Sequence, residues 1–139
     1  MTFVTHSEEE TEKSGERLAS GLTCGSIVAL YGDLGSGKTV FVRGMARGLG
    51  INDFVSSPTF TIVNEYAGNK ELFHFDMYRL TGESELFDIG WEDYLARGGI
   101  CAVEWSEKVT GAFPGNEVRV SFERLSENSR KITISASDR

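Results

Sequence analysis

The sequence predicts an α/β fold in which helices flank a mixed central sheet carrying antiparallel hairpins. Three observations predict it. Ile27 to Tyr31 is an unbroken apolar run, the pattern of a strand covered on both faces. It leads directly into the glycine-rich stretch Gly32 to Thr39, after which Val42, Met45, Ala46 and Leu49 recur at helical spacing, with Arg43 and Arg47 on the other side. Elsewhere, short alternating segments separated by turn residues read as two hairpins.

Taken in order, Ser7 with Glu10 fits a capping box, and Glu8 and Glu9 suit the positive end of a first helix that stops near Gly21. Its apolar stripe is thin: Leu18, Ala19 and Leu22. The helix after the glycine-rich stretch ends at Gly48 to Gly50, and Asn52 to Pro58 is a loop. Thr59 to Tyr66 and Glu71 to Met77 then form the first hairpin across Gly68-Asn69. Glu83 to Asp88 and Trp91 to Arg97 are short helices separated by Gly90 and closed by Gly98-Gly99. Ile100 to Glu104 is a buried strand. Val118, Val120 and Phe122, then Ile132 and Ile134, alternate with polar residues, so a second hairpin turns around Ser126 to Ser129.

The 139 residues, 40% hydrophobic, suit a single domain over residues 1–139, without repeat or linker. Fourteen Lys+Arg against 21 Asp+Glu give a net charge of -7, a field that repels a nucleic-acid backbone, so any RNA contact is local or supplied by a partner. Cys24 and Cys101 have no metal-site spacing, and Cys101 lies in an apolar run as a reduced core residue. The acidic start lacks the features of a secretory signal and no segment approaches membrane-spanning length, so a cytoplasmic location and no membrane role are expected.

The stretch Gly32-Asp33-Leu34-Gly35-Ser36-Gly37-Lys38-Thr39 satisfies G-x-x-x-x-G-K-[ST] between a strand and a helix. A polyphosphate needs a ring of backbone N–H donors, and glycines let the chain curl closely enough to supply them. The helix that starts near Lys38 adds its positive end. Lys38 is expected to reach the outer phosphates, and the Thr39 hydroxyl to ligate magnesium. Such a site also needs an acidic residue at the end of a neighbouring strand. Asp76, ending Leu72 to Phe75, and Glu104, ending Ile100 to Val103, both qualify; one supports the ion while the other orients the attacking water.

Other residues have more than one reading each. Ser57-Pro58-Thr59 is either an ordinary strand-starting turn or a switch in which Thr59 senses the outer phosphate or its cation. His74 shares a strand face with Asp76, either beside the nucleotide or simply satisfied by hydrogen bonds. Trp105 is a wall of the site, a partner anchor or a structural aromatic. Arg43 and Arg47 present a solvated face or a docking face for an acidic partner.

Together these segments closely resemble the bacterial TsaE (YjeE) family, the ATPase of tRNA threonylcarbamoyladenosine biosynthesis. The likeness spans nearly the whole chain. It rests on Gly32 to Thr39, Ser57 to Tyr66, His74-Phe75-Asp76-Met77-Tyr78-Arg79-Leu80 and Val103-Glu104-Trp105. The resemblance implies a P-loop NTPase fold whose cofactors are ATP/ADP and Mg2+. It implies nucleotide contacts from Asp33, Leu34, Gly35, Ser36, Gly37, Lys38, Thr39, Val40 and Trp105. Thr39 and Glu104 would hold the metal, with Asp76 and Thr59 assisting. By loose analogy, Ser7 and the turn near Ser129 are neighbours of the base. The implied partners are TsaB and TsaD, with tRNA met only through the complex. Two departures stand out: Ser106 where the family commonly has proline, expected to leave that loop less rigid, and Val40 where it commonly has a second threonine.

Small-molecule kinases and nucleotide-dependent switches share the same cradle. A kinase needs an acceptor pocket under a lid, and no arginine-rich insertion supplies one here. Guanine-selecting switches carry Asn-Lys-x-Asp after a strand, whereas Asn69-Lys70-Glu71-Leu72 lacks the aspartate and falls in a turn.

Overall fold

The computed structural model describes residues 1–33, 35–56, 58 and 62–136. In chain order the elements are β1 (Thr2–Thr5), α1 (Glu8–Ser20), β2 (Ile27–Tyr31), α2 (Lys38–Gly48), β3 (Val63–Tyr66), β4 (Leu72–Asp76), α3 (Glu83–Asp88), α4 (Trp91–Arg97), β5 (Ile100–Glu104), β6 (Val118–Arg124) and β7 (Arg130–Ala136). Two short 3-10 turns, Ser106–Lys108 and Thr110–Ala112, follow β5. Among the described residues, no helix is long and apolar enough to cross a membrane.

The strands form one seven-stranded sheet in the order β1-β7-β6-β2-β5-β4-β3. Its central four, β6, β2, β5 and β4, are parallel. The β3–β4 and β6–β7 hairpins and the β1–β7 pair are antiparallel, so the predicted mixed sheet is observed. Alternation along the strands sorts side chains onto two faces. Val28, Leu30, Leu72, Ile100 and Ala102 pack with Phe41, Val42 and Met45 of α2. Phe73, Phe75, Cys101 and Val103 pack on the other face with Leu86 of α3 and Trp91 of α4.

Helix α1 starts as its sequence predicts: Ser7 Oγ accepts from Glu10 N at 3.1 Å, and Glu10 Oε1 accepts from His6 N at 2.7 Å. Its buried face is Thr11, Ser14, Gly15 and Ala19, small residues that explain the thin apolar stripe. They let α1 lie backbone to backbone against α2. A Cβ built on Gly44 would fall 1.7 Å from Glu12 O, so only glycine permits this contact.

Two differences from the sequence reading concern strands. β1 was not predicted, because Thr2–Thr5 is a four-residue edge segment too short for alternation to register. The first hairpin's leading strand begins at Val63, where its register with Phe75 begins, and Ile62 lies in a bend. The predicted start at Thr59, with Ser57, Phe60 and Thr61, lies outside the described residues.

Candidate functional site

Strand β2 lies between β5 and β6, so the chain that leaves it at Gly32 emerges at the carboxyl ends of parallel strands, where open α/β sheets bind ligands. Gly37 then adopts φ 106°, a left-handed turn that delivers the chain into α2. Among the described residues no side chain caps that helix, which leaves its first N–H groups for an outside acceptor such as an anion. Ser36 is buried and its Oγ has no hydrogen-bond partner among the described residues. A buried hydroxyl left bare is uncommon in folded proteins, and this one belongs to the loop that forms the cradle, so it fits a phosphate ligand.

Lys38 is buried as well; its Nζ donates to Gly32 O and lies 3.7 Å from the centroid of the Trp105 ring. Burial pushes the ammonium below the ordinary lysine range, while Glu104, Glu107, Asp76 and Asp33 offset part of that shift. Removal from water therefore disfavours the cation, and added negative charge, as on a polyphosphate, would favour it. Thr39 Oγ1 donates to Glu104 Oε2 at 2.9 Å. The same oxygen lies 2.6 Å from His74 Nε2. The register pairs Asp76 with Glu104 and His74 with Ala102, which puts all three polar side chains on the face that α2 covers. Asp76 Oδ1 accepts from Tyr78 N at 3.0 Å.

A cleft of about 240 Å³ is lined by Gly35, Ser36, Gly37, Lys38, Thr39, Val40, Asp76, Glu104 and Trp105, nine of the predicted site residues, and by Glu8. Asp33 is exposed and lies outside this lining; its carbonyl accepts from Ser36 N at 3.1 Å within the turn. Leu34 and Thr59 lie outside the described residues. Ser7, Thr11, Asn128 and Arg130 border a small recess beside Gly37 and Val40, and Arg130 Nη2 donates to Gly35 O at 3.2 Å. Larger cavities, about 490 Å³ beside Arg43 and Phe54 and about 560 Å³ beside Leu18 and Ile134, lack this set of groups.

Trp105 has φ 58°, the one positive value outside glycine among the described residues. That backbone turns its ring over Lys38 and against Tyr78, with the two ring centroids 5.1 Å apart. Ser106 is buried, and its hydroxyl donates to Val103 O at 2.7 Å as the 3-10 turn begins. At the position where the family commonly has proline, which would restrict φ, a hydrogen bond to the strand's own backbone ties the turn to β5. Glu8, Glu107 and Arg130 were missed as neighbours of the cradle. Glu8 carried a signal only for the helix start, and Glu107 Oε2, which accepts from Gly32 N at 3.3 Å, arrives through tertiary structure alone.

A family profile described as "Threonylcarbamoyl adenosine biosynthesis protein TsaE" matches residues 5–132. The tRNA threonylcarbamoyladenosine biosynthesis protein TsaE of Treponema pallidum (strain Nichols) is 40% identical over 134 residues, spanning 96% of this chain and 99% of its own. The protein of the same name from Bacillus subtilis (strain 168) is 40% identical over 137 residues, spanning 98% of this chain and 85% of its own. Among solved structures, Bacillus subtilis YdiB superposes with a TM-score of 0.85 at 33% identity, covering 99% of this chain and 86% of that one. With a P-loop NTPase fold and a likeness that runs almost from end to end, the chain belongs to the TsaE family of threonylcarbamoyladenosine biosynthesis proteins.

Proposed function

We propose that this chain is a magnesium-dependent ATPase that acts in the cytoplasm with TsaB and TsaD proteins, supporting their turnover as they form threonylcarbamoyladenosine in tRNA. The transfer chemistry then belongs to the partners, and tRNA is met through the complex. One observation carries the reading: Lys38, Thr39 and Glu104 converge at the start of α2, with the Thr39 hydroxyl 2.9 Å from the Glu104 carboxylate. Thr39 and Glu104 would hold the magnesium ion, which when bound screens the charge of the outer phosphates.

The roles of the chain's own groups follow from their chemistry. The cradle amides and the Ser36 hydroxyl bind phosphate oxygens, and Lys38 leaves Gly32 O to offset charge on the outer phosphoryl group. Asp76 orients the water that attacks in line, a division of work supported by the bond that Glu104 accepts from the other metal-holding residue, Thr39. Trp105 backs the lysine. Ser7 and the β6–β7 turn neighbour the base, a role supported by the recess that Ser7 and Arg130 share beside the cradle. Thr59 senses the outer phosphate. The family favours this reading over a small-molecule kinase or a guanine-selecting switch.

Lys38→Ala tests it. ATP turnover is expected to be abolished while circular dichroism and the melting temperature stay close to the parent's. Unchanged hydrolysis would refute the assignment.

A further inference from the structure

We propose that His74 is a positioning residue: its Nε2–H holds the Glu104 carboxylate in the orientation in which Thr39 and a divalent cation meet it. The inference rests on the reading of Glu104 as the carboxylate that supports the metal. His74 is fully buried on β4, facing Asn64 of β3 and Ala102 of β5 across the ladder. Leu72, Ile100 and Ala102 on that face are apolar, and Asn64, Asp76 and Glu104 are its polar members. An apolar side chain would suit such a position on packing grounds alone. The imidazole instead leaves Nδ1 buried with no hydrogen-bond partner among the described residues, which costs stability. What the position gains in return is the other nitrogen, 2.6 Å from Glu104 Oε2.

A carboxylate only accepts, so the proton of this contact sits on Nε2. The same Oε2 takes the Thr39 hydroxyl proton at 2.9 Å. Two donors on one oxygen fix the carboxylate plane, and Oε1 accepts neither of these bonds. Thr39 has one proton, and donating it to Glu104 keeps the hydroxyl lone pairs for a cation. The order of influence therefore runs from His74 to Glu104 to Thr39. Without the imidazole the buried carboxylate loses a donor and its orientation, and the threonine loses a fixed acceptor.

The full-length chain tests this through binding. ADP affinity is measured by calorimetry with chelator and with Mg2+, and Mn2+ affinity of the ADP complex by electron paramagnetic resonance. His74→Met is expected to weaken Mn2+ binding by roughly 10- to 100-fold while metal-free ADP affinity is unchanged. His74→Asn, which stays polar but whose shorter amide does not reach Glu104, should behave alike and serves if the methionine variant does not fold. His74→Gln, whose amide N–H reaches the place of Nε2, should restore most of the affinity. Parental Mn2+ affinity in the loss variants would overturn the proposal, as would equal losses with and without metal. A parent protein that binds ADP equally well with Mg2+ and with chelator would instead remove the metal reading of Glu104, and the inference with it.

Discussion

Trp105 sits with φ 58°, where an L side chain crowds its own backbone at a cost of about 1–2 kcal/mol. Glycine would avoid that cost but would leave Lys38 without the ring 3.7 Å from its Nζ. The two contributions separate in a pair of variants. Trp105→Gly and Trp105→Ala lose the same ring, yet the glycine variant should unfold at the higher denaturant concentration, by about 1 kcal/mol. Equal midpoints would show that the backbone is unstrained. Cys101 supplies a second residue-scale expectation, since burial pushes its thiol up to about 12 while Cys24 is exposed. A thiol reagent near neutral pH should label Cys24 in the native protein and Cys101 only after unfolding. Fast labelling of both would contradict that packing. At this scale the sequence exposed the residues whose chemistry is local: Gly35 to Thr39 are contiguous, so spacing alone announced the cradle. It left Asp76 and Glu104 equivalent, because the Thr39–Glu104 contact joins residues 65 positions apart and depends on strand register. The same holds for His74, whose face was readable from alternation but whose partner was not.

Elements were legible where periodicity and length agreed. The buried strands β2 and β5, the cap of α1 and both hairpin turns follow directly from their patterns. The α1–α2 interface was hidden because a search for large apolar side chains passes over Thr11, Ser14, Gly15 and Gly44, whose contribution is to be small. Gly44→Ala measures that contribution. In an isolated helix alanine is favoured over glycine by about 1 kcal/mol. Here the added methyl group would meet Glu12 O, a backbone atom that moves only if the helix moves. Overpacking should win, with a net loss of about 1–3 kcal/mol and a lower melting temperature. An unchanged or raised melting temperature would mean that the helices can part at no cost.

At the scale of the whole molecule, the parallel core gathers the site at one end of the sheet, and the net charge of -7 opposes close approach of a nucleic-acid backbone. Nothing in the spacing of the sequence assigned an arginine or glutamine to the attacking water. The isolated chain is therefore expected to hydrolyse ATP more slowly than a mixture with TsaB and TsaD, and equal rates in a phosphate-release assay would show that the site is complete by itself. The sheet order has a further consequence, for synthesis. Among the described residues β1, the first of the strands, pairs only with β7, the last of them, in register from Thr2–Thr133 to Thr5–Arg130. A nascent chain carries β1 unmatched until translation has passed its partners, Arg130 to Thr133. Closure of this edge is thus a late, long-range event that local signals cannot hasten.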